Sequence, residues 1–296
     1  MLSTTDRVGV PVALSRRLRI GVYRGDPRSG APSVSRHRHA DGGVAQGDAG
    51  VGPAFDPAAY PHETVACNLC GRDDATPIAA RDRYGLPTRI VQCVCGLRYI
   101  TPRMTAEGYA AFYRTGYRAL VAQVSTAPTA LEFASEQWRY AGAIADRVAP
   151  WMRARTVLDV GGSTGVVGRL FQARWGCEVT VIDPSPTELA QARGCRTICA
   201  SAERVDFPSA DLALLCRTVD HLRDPLGVLT RLRASVRMLV VDAMDVDAWP
   251  EPWRYKVDHP YAFTGPTLRE FMRRAGFRPI QAWTTRHGKY LGYLCS

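Results

Sequence analysis

From Thr156 to its last residue, the sequence alternates short apolar runs with helix-forming segments, and this alternation constrains the fold more than any other feature. The predicted strands are 157–160, 178–183, 197–200, 211–216 and 238–242, and the predicted helices are 166–175, 187–193, 225–234 and 267–275. Two further strands at 279–285 and 290–295 flank His287-Gly288 and predict a terminal antiparallel hairpin. Strands that alternate with helices of about ten residues indicate an α/β, doubly wound sheet of seven mainly parallel strands.

The residues before this alternation divide into three predicted parts. Residues 1–58 show no sustained periodicity and hold few large apolar side chains, so they are predicted to be a disordered arm. An over-long start-codon assignment would give the same composition. Residues 59–104 carry two cysteine pairs and form a small module, whereas 105–150 are a helical connector or substrate lid. The α/β domain is predicted to cover 151–296.

Composition places the chain among globular proteins, with 46% hydrophobic and 22% charged residues. No apolar run approaches the roughly 18 residues of a membrane-spanning helix, and no signal peptide is recognised, so a cytoplasmic location is predicted. The net charge is +10, but of the 38 basic residues all are arginine except Lys256 and Lys289. Because the arginines are scattered rather than clustered, the charge only weakly supports a nucleic-acid partner.

The first predicted strand is followed by the glycine turn Gly161-Gly-Ser-Thr-Gly165. Glycines let a ligand approach the backbone closely, and the helix after the turn offers free N–H groups. In open α/β sheets, ligands bind at the carboxyl ends of the strands. Asp183 closes the second predicted strand, where its carboxylate can accept hydrogen bonds from both hydroxyls of a ribose. The turn and this carboxylate together predict a nucleoside-containing ligand.

Spacing separates this turn from other glycine motifs. The dinucleotide fingerprint G-x-G-x-x-G fails because Ser163 and Val166 occupy two of its glycine positions, and the phosphate-binding loop fails because no lysine is near. The letters Gly161-x-Ser163-x-Gly165 do match the nucleophile elbow of α/β hydrolases. That elbow should follow several earlier strands, whereas this turn follows the first.

The pattern acidic-x-Gly-x-Gly-x-Gly of class I S-adenosylmethionine (SAM)-dependent methyltransferases remains, and Asp159–Gly165 resembles it, with Ser163 at the middle glycine. The segments 209–225 and 258–277 also resemble that family. The resemblance implies a Rossmann-like fold with SAM as cofactor. The residues that it assigns to SAM binding are Asp159, Gly161, Gly162, Ser163, Gly165, Asp183, Pro184, Ala202, Glu203, Tyr113 and Arg217.

Four thiolates, the ligand set of a structural zinc ion, come from Cys67, Cys70, Cys93 and Cys95. The second pair is spaced one residue tighter than usual, which makes His62 an alternative ligand. Unrelated buried thiols or a redox pair are the alternatives to zinc. The stretch 93–102, followed by 109–118, resembles methyltransferases with an N-terminal zinc-binding domain. These include sugar C-methyltransferases and enzymes of surface-glycan or natural-product clusters.

A hydroxyl or carbon acid that accepts a methyl group also needs a general base, and histidine suits this role. His221, beside Asp220, follows the fourth strand, and His259 precedes Tyr261; these four are the catalytic candidates. A purely structural role for either histidine stays open. Trp249, Trp253 and Tyr255 are predicted either to stack on an acceptor ring or to pack as a lid.

The sequence thus predicts SAM-dependent methyl transfer to oxygen or carbon of a small-molecule acceptor, namely a sugar, a glycan or a secondary-metabolite precursor. Two alternatives stay open: an RNA methyltransferase, and a non-catalytic scaffold that binds SAM and zinc. Acidic residues dilute the arginines of the cysteine module, which disfavours RNA. The oligomeric state, monomer or dimer, is left undefined.

Overall fold

The computed structural model describes residues 56–117, 120, 130–251, 253–285 and 287–296. The arm predicted over 1–58 therefore lies outside the described residues up to residue 55. Its last two residues and Ala59 form one 3-10 turn, Pro57–Ala59, which is capped by the side chain of Asp56. No helix within these described ranges is long and apolar enough to cross a membrane.

Short antiparallel strands build the cysteine module. They are β1 (His62–Glu63), β2 (Thr76–Arg81), β3 (Pro87–Gln92), β4 (Arg98–Ile100) and β5 (Arg103–Met104). β1 pairs with β5, and β2, β3 and β4 form a meander. Helix α1 (Ala106–Thr115) follows, with the Thr105 side chain as its N-cap, and then α2 (Ala130–Val148).

Seven strands form the central sheet. In chain order they are β6 (Thr156–Val160), β7 (Glu178–Asp183), β8 (Arg196–Cys199), β9 (Ala210–Cys216), β10 (Val236–Met244), β12 (Pro279–Thr285) and β13 (Tyr290–Cys295). Their spatial order is β12-β13-β10-β9-β6-β7-β8. The five strands β10, β9, β6, β7 and β8 run parallel to one another, and β13 is antiparallel to both of its neighbours. The predicted mainly parallel sheet and its terminal hairpin are confirmed. The strand order reverses between β6 and β9, which is where such sheets bind ligands.

Helices cover both faces of this sheet, because successive residues of a buried strand point to opposite sides. Val157 packs with α2 and α3 (Val166–Trp175), whereas its neighbour Leu158 packs with the opposite layer. That layer consists of α5 (Pro225–Ser235) and α6 (Gly265–Arg274). Two apolar cores therefore sandwich the sheet and hold the carboxyl ends of its strands in fixed positions.

One predicted helix, 187–193, is wrong in its length. The helix α4 spans only Pro186–Leu189. Beyond it, the N–H groups of Gln191 and Ala192 bond to carbonyls three residues back, which is a tighter turn than an α-helix. Ala192 is buried beside Gly165, where an added β-carbon would lie 3.2 Å from it. Packing against the glycine turn thus ends the helix, and sequence periodicity does not reveal this.

The cysteine module and the α/β domain share one sheet and one core. The fourth strand of the module's sheet is β11 (Tyr261–Ala262), in which Tyr261 pairs with Tyr99 of β4. Leu97 and Tyr99 also belong to the same apolar core as α5 and α6. The module predicted over 59–104 and the α/β domain predicted over 151–296 are therefore joined by a shared sheet and a shared core.

Polar contacts strengthen this junction. Asn68 donates from Nδ2 to Asp224 Oδ1 (2.9 Å) and accepts from the N–H of Leu226 (3.0 Å). Asp224 is itself the N-cap of α5. A second contact is the carboxylate of Glu63, which accepts from both Arg103 (3.1 Å) and Arg223 (2.6 Å). The turn that carries Cys67 and Cys70 is thereby fixed to the start of a helix in the α/β domain.

Candidate functional site

The glycine turn between β6 and α3 leaves no room for side chains at its first two positions. A β-carbon on Gly161 would lie 2.4 Å from the Thr218 Cγ2 atom, and one on Gly162 would lie 2.6 Å from the Asp159 Cγ atom. Gly161 also adopts a φ of 68° and Ser163 one of 51°, in the left-handed region. Packing within the protein therefore already requires the first two glycines, and the middle position accommodates Ser163.

Asp159 lies beneath the turn, with 1% of its surface exposed. Its Oδ2 atom accepts a hydrogen bond from the N–H of Gly168 in the first turn of α3 (2.9 Å). Burial raises the pKa of this carboxyl to about 6. The side chain thus ties the strand to the helix and braces the glycine turn.

We expect Asp159→Asn to stabilise the protein at pH 8 but not at pH 4. A buried carboxyl with a raised pKa contributes stability while protonated, and this is lost as the pH rises through about 6. The gain at pH 8 should be on the order of 3 kcal/mol, because one pKa unit corresponds to about 1.4 kcal/mol. Urea unfolding at the two pH values measures it, with the exposed Glu178→Gln as control. A difference that does not depend on pH would contradict the assignment.

Asp183 ends β7 directly beside the turn. Its Oδ2 atom accepts from the N–H of Ser163 (3.0 Å) and its Oδ1 atom from the N–H of Ser185 (2.9 Å). Burial raises the pKa of this carboxyl. Each carboxylate oxygen can accept a second hydrogen bond, so the group is held in place and can still receive ligand hydroxyls.

Four of the other predicted SAM residues follow the carboxyl ends of neighbouring strands, whereas Tyr113 lies in α1. Pro184 is exposed directly after β7, and Ala202 is buried in the loop after β8. Glu203 uses its Oε1 atom to accept from the N–H of Arg223 (2.8 Å). Arg217 packs its guanidinium between the rings of Tyr140 (4.3 Å) and Tyr290 (4.9 Å), so its side chain is held by protein aromatics.

The two histidines singled out in the sequence form one cluster. Their rings lie edge to face with centroids 4.4 Å apart. His221 is 28% exposed, and its Nδ1 atom lies 3.0 Å from both the Asp258 carbonyl and the Tyr113 hydroxyl. His259 is buried, with Nδ1 at 3.4 Å from Asp220 Oδ2. The cluster adjoins the glycine turn, because the carbonyl of Thr218, whose side chain packs on Gly161, accepts from the N–H of His221.

Lys256 completes the cluster and was not predicted. Its Nζ atom lies 2.9 Å from His259 Nε2 and 3.0 Å from Asp258 Oδ2. Although burial opposes the charge, the Asp258 carboxylate raises the pKa of Lys256, so the amine stays protonated. The sequence feature that could have drawn attention to Lys256 is that it is one of two lysines in an arginine-rich chain.

Asp220, His221 and His259 each offer one atom that could bind a metal ion, and these three atoms lie within 4.8 Å of one another. A cation on His259 Nδ1 would require the ring proton on Nε2, where it would face the Lys256 ammonium as one donor against another. The geometry therefore fits a hydrogen-bonded network better than a metal centre.

The predicted catalytic residue Tyr261 lies in the core, with 1% of its surface exposed. Its hydroxyl accepts from Arg103 (2.9 Å) and donates to the carbonyl of Arg223 (3.2 Å). The single proton of the hydroxyl is thus already engaged. This geometry fits a packing role in β11 rather than the catalytic role predicted from the sequence.

The cysteine module holds the segment that carries Lys256 and His259. Asp82, buried in the β2–β3 turn, accepts from the N–H of Val257 (2.9 Å), and the N–H of Arg83 donates to the carbonyl of Tyr255 (2.9 Å). Tyr255 is buried, and Trp249 is partly buried. Trp253 is 45% exposed, with the Arg83 guanidinium 5.7 Å from its ring. Of the three predicted ring-stacking residues, only Trp253 presents a large open surface.

A mostly apolar groove of about 800 Å³ lies on the module. Ile78, Met104, Tyr109 and Val257 contribute to its wall. Val257 stands between Lys256 and Asp258, and its carbonyl accepts from the Tyr109 hydroxyl (3.3 Å). The groove and the histidine cluster therefore share one short segment.

All nine cysteines are free thiols, and four of them meet at one point. The sulfur atoms of Cys67 and Cys95 are 3.5 Å apart, those of Cys70 and Cys93 are 3.4 Å apart, and all four lie within 4.8 Å of one another. Tetrahedral zinc with Zn–S bonds of about 2.3 Å needs sulfur atoms about 3.8 Å apart. The four residues fit such an ion, whereas His62 lies outside this cluster.

Three features define an α/β protein of the class that binds a nucleoside cofactor. They are the order of the sheet, the glycine turn at the reversal point, and the carboxylate of Asp183 at the end of β7. Comparison with known families is more specific, because the methyltransferase domain family matches residues 116–282. The chain belongs to this family. The resemblance to class I SAM-dependent methyltransferases noted in the sequence is thereby confirmed.

Two curated relatives are uncharacterized methyltransferases from Mycobacterium. That of strain JLS is 36% identical over 173 residues, and that of strain KMS is 34% identical over 172 residues. Each match covers 52% of this chain and 64% of the relative, so the chain spans less than two thirds of their length.

Solved structures share the fold. One is Burkholderia thailandensis 1,6-didemethyltoxoflavin-N1-methyltransferase with bound 1,6-didemethyltoxoflavin and S-adenosylhomocysteine. It is 22% identical, with a TM-score of 0.50, and the match covers 75% of this chain and 97% of that one. At this identity the comparison supports the architecture alone.

Proposed function

We propose that this protein transfers a methyl group from SAM to an oxygen or carbon atom of a small-molecule acceptor, with His221 as general base. The observation that carries the proposal is the position of the His221 ring. It is partly exposed, fixed through Nδ1 by the Asp258 carbonyl, and joined through Thr218 to the glycine turn.

The turn and its surroundings fit SAM, which supplies a methyl group already activated on its sulfonium. Asp183 is oriented by two backbone N–H groups and keeps lone pairs for the ribose hydroxyls. By resemblance to the family, Asp159 and the turn from Gly161 to Gly165 surround the methionine end. Ala202 and Glu203 would lie by the adenine and Tyr113 would reach toward SAM, with Pro184 and Arg217 as further candidate contacts.

The proton chemistry falls to His221. When its Nδ1–H donates to the Asp258 carbonyl, Nε2 is unprotonated and can accept a proton. The acceptor atom forms its bond to the methyl carbon as the sulfur–carbon bond breaks, and Nε2 takes the proton that the acceptor loses. The remaining catalysis is alignment and exclusion of water. The His259 ring packs edge to face against the His221 ring, and Asp220 in turn faces His259.

The acceptor class that we favour is a sugar, a glycan or a secondary-metabolite precursor. The resemblance of residues 93–102 to zinc-bearing sugar and natural-product methyltransferases supports it. The exposed indole of Trp253 can stack on a ring, and the groove beside Val257 has the volume of a small-molecule site. Methylation of RNA, or loss of catalysis in a SAM-binding scaffold, are the rival outcomes.

We also propose that Cys67, Cys70, Cys93 and Cys95 hold a structural zinc ion. Four thiolates leave no open coordination position, so the ion would stabilise rather than catalyse. In this proposal, residues 59–104 form the zinc module, 105–150 the connector or substrate lid, and 151–296 the SAM-binding domain of a cytoplasmic enzyme.

We expect His221→Gln to lower the turnover number about 10²- to 10⁴-fold, the usual contribution of a general base. SAM binding should be unchanged, because no contact predicted for SAM is removed. The assay follows labelled methyl transfer from SAM into a fractionated small-molecule extract, with total RNA offered as rival acceptor. His287→Asn, in the terminal hairpin turn, is the matched control. Full turnover by His221→Gln would refute the base, and label in RNA would refute the acceptor class.

A further inference from the structure

We propose that Lys256 is a positioning residue that fixes His259 in a single tautomer and thereby leaves His221 as the histidine of the pair that can accept a proton. The tautomer part stands on geometry alone. The part that concerns His221 rests on the proposed function.

The argument begins with the donors and acceptors around His259. The Lys256 Nζ atom lies 2.9 Å from His259 Nε2, and an ammonium group can only donate. Nε2 must therefore accept and carry no proton. In a neutral ring the proton is then on Nδ1, which faces Asp220 Oδ2 at 3.4 Å. Both nitrogens of His259 are thus engaged.

Asp258 connects this arrangement to His221. Its carboxylate lies 3.0 Å from the Lys256 ammonium, and its backbone carbonyl lies 3.0 Å from His221 Nδ1. The edge-to-face contact of the two rings further restricts how His221 can turn. One residue therefore anchors the lysine and orients the exposed histidine.

The charges that face His259 favour its neutral form. Burial and the Lys256 ammonium hold the pKa of His259 well below its usual value, and the carboxylate of Asp220 only partly opposes them. The titratable and charged groups that act on this ring or on its neighbours Lys256 and Asp258 come from four parts of the chain. They are Asp220 and His221 after β9, Lys256 and Asp258 themselves, Tyr113 and Tyr117 in or just after α1, and Asp82, Arg83 and Tyr84 in the β2–β3 turn. Removing the ammonium should therefore raise the pKa of His259.

A lysine suits this position better than the arginine that the chain otherwise uses. The ammonium is a compact point charge that fits between one imidazole nitrogen and one carboxylate oxygen. A guanidinium presents its donors in a wide planar fork, which needs more space than a side chain with 15% exposure has here.

The test is nitrogen NMR of the histidine rings in the full chain, labelled with ¹⁵N-histidine and assigned with His221→Gln and His259→Gln. In the wild type we expect His259 to remain the neutral Nδ1–H tautomer between pH 5 and 8. In Lys256→Met it should populate both tautomers, and its pKa should rise by about one unit or more. Lys289→Met is the matched control and should leave both histidines unchanged.

A second variant covers the case in which Lys256→Met does not fold. Lys256→Gln keeps a donor without the charge, so the tautomer should persist while the pKa of His259 rises. A wild-type His259 protonated on Nε2, or spectra that neither variant alters, would overturn the inference.

Calorimetry with S-adenosylhomocysteine on the same samples separates this inference from the proposed function. No binding by the wild type would refute the proposed function and leave the tautomer result standing. Normal binding together with unchanged histidine spectra in the Lys256 variants would refute the inference alone.

Discussion

Cys93→Ser is expected to leave the protein without zinc and to unfold the module, whereas the wild type should contain about one zinc ion per chain. Cys93 is buried in the cluster of four sulfur atoms, and structural zinc contributes on the order of 10–16 kcal/mol in small finger peptides. Elemental analysis measures the metal, and thermal unfolding followed by circular dichroism measures the loss of stability.

The effect should extend beyond the module. Asn68, in the turn between Cys67 and Cys70, bonds to Asp224 at the start of α5, so loosening this turn also removes a contact with the cap of that helix. Cys199→Ser, which changes an exposed thiol outside the cluster, is the control. Wild-type protein that is free of zinc, or a Cys93→Ser variant as stable as the wild type, would show that the thiols serve another purpose.

The second large effect is expected for Asp183→Ala, which should weaken binding of S-adenosylhomocysteine by about 100-fold or more. Hydrogen bonds to a charged group contribute about 1.5–3 kcal/mol each, and the proposed ribose contact has two. The change also frees the N–H groups of Ser163 and Ser185, so the turn loses part of its support. Isothermal titration calorimetry measures the affinity.

Two comparisons make this result specific. Asp206→Ala removes an exposed carboxylate after β8 and should bind like the wild type. Asp183→Asn keeps one oxygen acceptor and should fall between the wild type and Asp183→Ala. Unchanged affinity in Asp183→Ala would mean that this carboxylate does not hold the ribose, whatever the fold.

The order of strands and helices could be predicted because each element carries its own local signal. The strands β7, β12 and β13 and the helix α3 begin and end at the predicted residues. The early end of the short helix α4 could not be predicted, because it depends on Ala192 packing against Gly165. That contact joins two elements, and no local pattern encodes it.

The residues of the candidate site likewise divide into those that local sequence could indicate and those that it could not. Asp183 and His221 could be singled out because Asp183 ends a strand and His221 follows one closely, and the carboxyl ends of parallel strands meet at one edge. His259 could be singled out because it lies in the segment that leads away from the carboxyl end of β10. Lys256 could not, because its role depends on the nitrogen that faces it, three residues away along an irregular segment. Tyr261 shows the converse: its sequence position suggested chemistry, whereas β11 turns its ring into the core.

The pairing of β4 with β11 has a consequence for how such a protein can be altered. The two strands close a loop of most of the chain, so the meander completes its sheet only when residues far apart in sequence meet. Deleting the module would expose β11, and grafting a relative's module would leave that strand beside a foreign edge. A chimera meant to change acceptor choice must therefore exchange residues 59–104 and 253–264 together, as a single cassette.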